Sequence, residues 1–232
     1  MGIFNFTAQV LAVKKITEDV LFLTLTAPPE FSYVAGQFIT LKIINRGETK
    51  LRSYSIMGYE KSTAQGKIKL CIKLLPGGFA SEVFAKTKPS DSFEVKGPFG
   101  HLVYDKNSST KESWFLGGGT GIVPLYSILA ENLPHYPKQT FTLIFSARTK
   151  KELFLDQEFK QLAKTFTNFE YQPTLTREEW AGRTGRIPKH LPVNLKDKTF
   201  YICGTTELVL DLKNLLVEQG ADPKQIKFEC YN

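Results

Sequence analysis

The chain reads as a two-domain protein, an antiparallel β-barrel followed by an α/β domain built on a parallel sheet. Three observations predict this. Short runs rich in β-branched and aromatic residues, punctuated by turn residues, fill the chain up to Gly100. Beyond a polar stretch, Asp105 to Glu112, strand-like and helix-like segments alternate instead. A glycine turn, Gly117-Gly118-Gly119-Thr120-Gly121, stands between the first strand and the first helix of that second pattern. These set the domains at residues 1–106 and 111–232, with Asp105 to Glu112 as the linker.

In the first half, Phe6 to Ile16 and Val20 to Thr26 read as strands, and Pro28-Pro29 ends the second. Tyr33 to Gln37 turns into a strand over Phe38 to Ile44, and Asn45-Arg46-Gly47 is a hairpin-type turn. Strands follow at Leu51 to Met57 and Lys67 to Leu75, then a short helix over Phe79 to Lys86 behind Gly77-Gly78. Ser92 to Lys96 is a strand closed by Gly97-Pro98-Phe99-Gly100. In the second half, strands are expected at Ser113 to Leu116, Phe141 to Ser146, Phe169 to Leu175, Thr199 to Cys203 and Ile226 to Cys230. Helices are expected at Val123 to Asn132, Lys151 to Phe166 and Glu207 to Gln219. In such sheets ligands bind outside the carboxyl ends of the strands, where Gly117, Ser146, Thr176 and Gly204 fall.

Composition narrows the function classes. A 232-residue chain with 42% hydrophobic and 23% charged residues has ample material for a core. No apolar run approaches the length of a membrane span, so membrane insertion is not expected. The N-terminus lacks a basic region followed by an apolar stretch, so no secretory signal is expected. Cys71, Cys203 and Cys230 are scattered and odd in number. They make neither a metal spacing nor a disulfide framework, which points to a reducing cytoplasm, no metal site and no iron–sulfur cluster. The net charge of +7 suits an acidic protein partner or a phosphate-bearing ligand. Basic residues are not interleaved with aromatics in any run, which argues against nucleic acid.

The glycine turn carries the first chemical signal. Four glycines in five positions leave one Cβ, so a ligand can approach the backbone. The N–H groups opening the next helix and its dipole favour an anion, and Pro124 suits that first turn. Gly117 and Gly119 meet the first two places of G-x-G-x-x-G, and Ile122 replaces the third. A pyrophosphate fits. In the barrel half, Arg52-Ser53-Tyr54-Ser55 offers a guanidinium for a phosphate. Strand alternation puts the Tyr54 ring on the same side as Arg52, where a flat aromatic group attached to a phosphate could lie. Gly77-Gly78-Phe79-Ala80-Ser81 is a second glycine turn opening a helix, hence a second anion site. Two such turns and an arginine suggest two dinucleotide-like ligands.

In this order, Arg-Ser-Tyr-Ser-Ile, Gly-Gly-Phe-Ala-Ser, Gly-Pro-Phe-Gly, Gly-Gly-Gly-Thr-Gly-Ile, Cys-Gly and Glu-Cys-Tyr make the chain resemble the ferredoxin–NADP reductase-like flavoproteins over nearly its whole length. The resemblance implies a barrel that binds FAD and an α/β domain that binds NADP or NAD. Arg52 would bind the FAD pyrophosphate, with Ser53 beside it in the motif. Tyr54 would lie against the isoalloxazine, and Ser55 near its N5. The turn Gly78, Phe79, Ala80 and Ser81 would hold FAD phosphates, with Ile72 and Lys73 alongside the cofactor. Gly118, Gly119, Thr120 and Gly121 would cradle the dinucleotide pyrophosphate, with Cys203 and Gly204 by the nicotinamide. Glu229 matches a carboxylate that works with the N5-side serine in some members, and Tyr231 a terminal aromatic that covers the flavin in plant-type ones. Ser55, Cys203, Glu229 and Tyr231 are thus the implied catalytic set. Many relatives carry proline after Cys-Gly where this chain has Thr205, and Asn232 follows Tyr231.

The activity implied is hydride transfer from NAD(P)H to the flavin, then electron release to a ferredoxin- or flavodoxin-type carrier. Arg148, Lys150 and Lys151 after Ser146, and Arg183 and Arg186 around Gly185, are candidates for a 2′-phosphate, and no acidic residue directly follows Ser146. Two other functions fit the same sequence: an NAD(P)H:flavin reductase, and a redox-sensing component of a larger electron-transfer complex.

Overall fold

The computed structural model describes residues 2–58 and 66–231. Asn232 lies outside the described residues. The chain divides into two compact units, Met1–His101 and Leu102–Asn232.

The first unit is one antiparallel sheet. Its strands are β1 (Phe4–Lys15), β2 (Val20–Thr26), β3 (Phe38–Asn45), β4 (Glu48–Ser55), β5 (Lys67–Lys73) and β6 (Ser92–Phe99), in the order β4-β3-β6-β1-β2-β5. An antiparallel bridge between Ile56 and Leu70 joins the segment after β4 to β5, so the sheet curls back on itself as the expected barrel requires. Leu21, Leu23 and Leu25, Ile39, Leu41 and Ile43, and Ile68, Leu70 and Ile72 line the interior at a period of two. A short helix, α1 (Phe79–Phe84), adds Phe84 to that core. Strand β4 starts earlier than the sequence suggests, because Arg46 and Gly47 both have positive φ and close a two-residue hairpin that pairs Asn45 with Glu48.

The second unit holds β7 (Glu112–Gly118), β8 (Thr140–Ala147), β9 (Phe169–Leu175), β10 (Arg183–Thr184), β11 (Lys198–Thr205) and β12 (Ile226–Tyr231). All neighbouring strands are parallel, in the order β10-β9-β8-β7-β11-β12. Helices α2 (Ile122–Asn132), α3 (Asp156–Thr165) and α4 (Thr206–Glu218) make the crossovers. The near-continuous burial of β8 and β11 is that of strands covered on both faces.

Three expectations change. Asp105 to Glu112 is not a free linker. The Asp105 N–H donates to Tyr201 Oη at 3.0 Å, and Ser108 and Thr110 hydroxyls lie 2.9 and 2.7 Å from that of Thr199, fastening the segment to β11. The helix expected from Lys151 is broken. A 3-10 turn at Lys150–Glu152 is followed by Leu153, Phe154 and Leu155, all buried, and three consecutive inward side chains cannot share one helix face. Leu155 adopts a positive φ, and α3 starts only at Asp156. Strand β10 has only two residues, too few for a periodic signal. Among the described residues, no helix is long and apolar enough to cross a membrane.

Candidate functional site

In the first unit, Lys50, Arg52 and Tyr54 alternate onto the inward face of β4, opposite the core residues Ile43, Leu41 and Ile39. The two flanking residues touch α1: Lys50 Nζ lies 4.4 Å over the Phe79 ring, and Tyr54 packs edge-on against Phe84 at 5.4 Å. Arg52 stands between them, exposed, bonded through Nη1 to the Leu51 carbonyl at 2.9 Å. Among the described residues no carboxylate lies within ion-pair distance of it. A positive group held in the open beside a half-buried aromatic ring fits a phosphate with a flat ring attached. Burial pushes the Tyr54 hydroxyl above its ordinary range despite the cation beside it, so the ring stays neutral. Ser53 and Ser55 alternate onto the opposite face, Ser53 exposed and Ser55 buried across from Phe38.

The second glycine turn is built as a cradle. Gly77 has φ +66, and the Gly78 N–H closes onto the Leu75 carbonyl at 2.9 Å. Ser81 Oγ accepts from the Leu75 N–H at 2.8 Å. A Cβ on Gly78 would lie 2.8 Å from that Oγ, so the turn needs glycine there. No side chain caps the start of α1. The hydroxyl proton of Ser81 and the N–H groups of Phe79 and Ala80 are available to an anion. Ile72 is buried in the core, leaving only its backbone for a ligand, and Lys73 pairs with Asp19 at 2.9 Å. Burial raises the Asp19 carboxyl, but the bonds from Lys73 and Thr17 outweigh it and hold the group below its ordinary value. A groove of about 730 Å³ on this unit includes Lys42, Ile44, Glu82, Lys86 and Glu94 but none of Arg52, Tyr54 or Ser81. Its Lys42 and Glu94 pair with each other at 2.7 Å.

In the second unit the strand order reverses between β7 and β11, and this switch point decides where a ligand can sit. Gly117 stands in register with Cys203, and Gly118 with Ser146. The glycines of the turn divide between packing and open space. A Cβ on Gly121 would strike the Cys203 carbonyl and come within 2.6 Å of the Gly204 nitrogen, and one on Gly117 would come within 2.8 Å of Leu125. Both therefore serve close packing of the turn on β11 and α2, which explains why a buried Ile122 can occupy the sixth place of the fingerprint. Gly119 has φ +55 and open space around its missing Cβ, so the backbone there can be approached closely. A Cβ on Gly204 would lie 2.5 Å from the end of the Leu208 side chain, which would have to shift to admit it. Thr205 Oγ1 caps α4, accepting from the Leu208 N–H at 3.4 Å.

The same edge gathers the carboxy-terminal residues. Cys203 pairs with Glu229 and Thr205 with Tyr231 across β11 and β12. Cys203 is fully buried; burial and the Glu229 carboxylate push its thiol up while a bond from the Tyr231 side chain opposes them, so it is no thiolate nucleophile. Burial pushes the Glu229 carboxyl up to about 7, where it exchanges a proton at neutral pH.

Arg148 follows β8, exposed, with its backbone N–H held by Glu152 at 3.0 Å. The Arg177 N–H donates to the Arg148 carbonyl at 2.9 Å, so a second exposed arginine continues the ladder of β8 and β9 beside the first. Sequence reasoning missed Arg177 because only the strand register brings it there. It also missed Glu178, whose Oε2 accepts from the Lys150 N–H at 2.7 Å. Two carboxylates reach this loop, Glu152 from four residues away and Glu178 from 28, and both are spent on backbone N–H groups.

Comparison with known proteins agrees with this geometry. The Oxidoreductase FAD-binding domain family matches residues 7–104, and the Oxidoreductase NAD-binding domain family matches residues 115–213. The chain belongs to the ferredoxin–NADP reductase-like oxidoreductases. Ferredoxin–NADP reductase B of Sorangium cellulosum is 26% identical over 241 residues, with 98% of each chain covered. A component of the Na+-translocating NADH-quinone reductase of Klebsiella pneumoniae is 27% identical over 79% of this chain, which spans about half (49%) of that relative. Among solved structures, a ferredoxin NADP+ reductase from Neisseria gonorrhoeae with bound FAD and NADP superposes with a TM-score of 0.86 at 25% identity, covering 97% of this chain and 98% of that one. The chain thus carries the FAD-binding and the NAD-binding domain of this oxidoreductase family.

Proposed function

We propose that the protein takes a hydride from NADPH, or less readily NADH, and passes electrons singly to a ferredoxin- or flavodoxin-type carrier. In this reading residues 1–106 bind FAD and residues 111–232 the nicotinamide dinucleotide. When bound, FAD supplies the hydride-accepting and one-electron-releasing chemistry. The chain's own residues bind and orient. Arg52, the Gly78–Ser81 cradle and the backbone of Ile72 and Lys73 hold FAD, and Tyr54 supplies an aromatic wall. Gly118–Gly121 and Gly204 hold the dinucleotide at the switch point, and the arginines that follow the carboxyl ends of the neighbouring strands, Arg148 and Arg177 with Arg183 and Arg186, favour a 2′-phosphate. Ser55, Glu229, Cys203 and Tyr231 make the catalytic set, in which Glu229 holds or gives up a proton at neutral pH. The observation that carries the reading is the strand order that brings Gly118–Gly121 against Cys203–Gly204.

The acidic nature of the carrier is supported by the net charge of +7. The three cysteines are all free, as a reducing cytoplasm leaves them. The test is the absorbance spectrum of the purified protein saturated with FAD and titrated separately with NADPH and NADH. Flavin colour that survives gel filtration and bleaches at lower NADPH than NADH is the expected result. A folded preparation that retains no flavin, or does not bleach, refutes it. Carrier reduction that slows with added salt is expected, and salt-independent turnover overturns the electrostatic choice of partner.

A further inference from the structure

The turn between β10 and the following 3-10 helix (Ile187–His190) is tied to β9 through both the carbonyl and the N–H of Gly185. Thr174, fully buried near the end of β9, pairs with Arg183 of β10. Its Oγ1 lies 2.8 Å from the Gly185 carbonyl and 3.0 Å from His190 Nε2. The Gly185 N–H donates to the Leu175 carbonyl at 2.8 Å. Gly185 itself has φ +105, so the chain reverses there, between Arg183 and Arg186. Trp180 Nε1 donates to the Arg183 carbonyl at 2.6 Å and secures the near side of the turn.

We propose that Thr174 and His190 are positioning residues, a latch that holds the Arg183–Arg186 turn for the phosphate-bearing end of the dinucleotide and couples that hold to the protonation of the imidazole. The inference rests on the proposed NADP reading of the second unit.

Counting protons gives the mechanism. The Gly185 carbonyl only accepts, and the threonine hydroxyl has one proton to give. Thr174 can donate to Gly185 and remain bonded to His190 only when Nε2 carries a proton. A neutral ring that keeps its one proton on Nδ1 presents a bare Nε2 that competes for the hydroxyl proton, and when it wins the Gly185 carbonyl loses its anchor. The Thr184 backbone also favours a proton on the ring. Burial opposes it most, followed by the cation of Arg183, with Lys189 adding to these. These three outweigh Thr184 and leave the free imidazole below its ordinary value. Arg183 is in turn 3.7 Å from Glu170. A phosphate dianion seated against Arg183 and Arg186 offsets the cations that expel the proton, so ligand binding and ring protonation strengthen each other reciprocally.

The test uses 2′,5′-ADP and 5′-ADP, which need no flavin and no turnover. Calorimetry on the wild-type chain, T174V, T174S and H190Q from about pH 6 to about pH 8 measures affinity. The phosphate titrates in the same range in every variant, so differences between variants belong to the latch. T174V is expected to weaken 2′,5′-ADP about tenfold with little change for 5′-ADP, and T174S to restore it. H190Q keeps a donor at the Nε2 position at every pH, so its 2′,5′-ADP affinity should lose the fall that the wild type shows as pH rises. By NMR, the His190 ring should gain roughly half a pH unit or more on saturation with 2′,5′-ADP and not with 5′-ADP. A 2′,5′-ADP preference that survives T174V unchanged, or a His190 titration unmoved by the bound ligand, overturns the latch alone. Equal affinity of the wild type for the two probes overturns the NADP reading and the latch with it.

Discussion

Replacing Glu229 with glutamine should make the second unit more stable at alkaline pH and leave it unchanged in mild acid. The carboxyl is moved by burial from 4.5 to about 7. In the unfolded chain it ionises from about pH 4.5, whereas the fold keeps the proton until about pH 7. Between those values the folded state binds more protons than the unfolded one, so stability falls as pH rises, and the loss is complete just above pH 7. A displacement of this size is worth about 3 kcal/mol at about 1.4 kcal/mol per unit. Glutamine matches the protonated carboxyl in shape and does not ionise. The assay is urea unfolding of flavin-free protein, followed by tryptophan fluorescence at about pH 5 and about pH 8.5. Both tryptophans, Trp114 and Trp180, belong to the second unit, so the signal reports the unit that carries Glu229. Other titrating groups are common to both proteins and cancel. E229Q and wild type should coincide in acid and separate by up to about 3 kcal/mol in alkali. Equal stabilities at both pH values, or a less stable E229Q at the higher one, would show that Glu229 is not held protonated by burial.

Three further outcomes follow from single positions. Arg52→Ala should weaken FAD retention about tenfold to a hundredfold without loss of folding stability, since among the described residues the guanidinium bonds only the adjacent Leu51 carbonyl; equilibrium dialysis of FAD against the variant measures it. Gly121→Ala should destabilise the second unit by roughly 1–3 kcal/mol, because its Cβ meets the Cys203 carbonyl and backbone cannot yield. Gly119→Ala has open space and carries only the roughly 1 kcal/mol strain of its positive φ, so urea curves that rank the two the other way would overturn the division of tasks within the turn. Ser81→Ala should loosen the Gly77–Gly78 turn by removing the acceptor of the Leu75 N–H, read as faster amide exchange at Leu75, and slow exchange there would refute the role.

What the amino-acid order alone determined is local and periodic. The alternation of Leu21, Leu23 and Leu25 or Ile39, Leu41 and Ile43 specified barrel strands, because side chains on a strand repeat every two residues. The glycine turn and Arg52-Ser53-Tyr54-Ser55 could be read as phosphate chemistry because each is contiguous. Tertiary structure decided whatever depends on register between distant segments. It set Gly121 against the Cys203 carbonyl and so gave that glycine a packing task that the contiguous motif does not record. It carried Arg177 and Glu178 to the loop after β8 and tied Thr174 to Gly185 and His190. It fastened the polar stretch after Asp105 to β11, where composition suggested a solvated linker. A one-dimensional pattern records which face a residue takes; strand order and register decide what stands across from it.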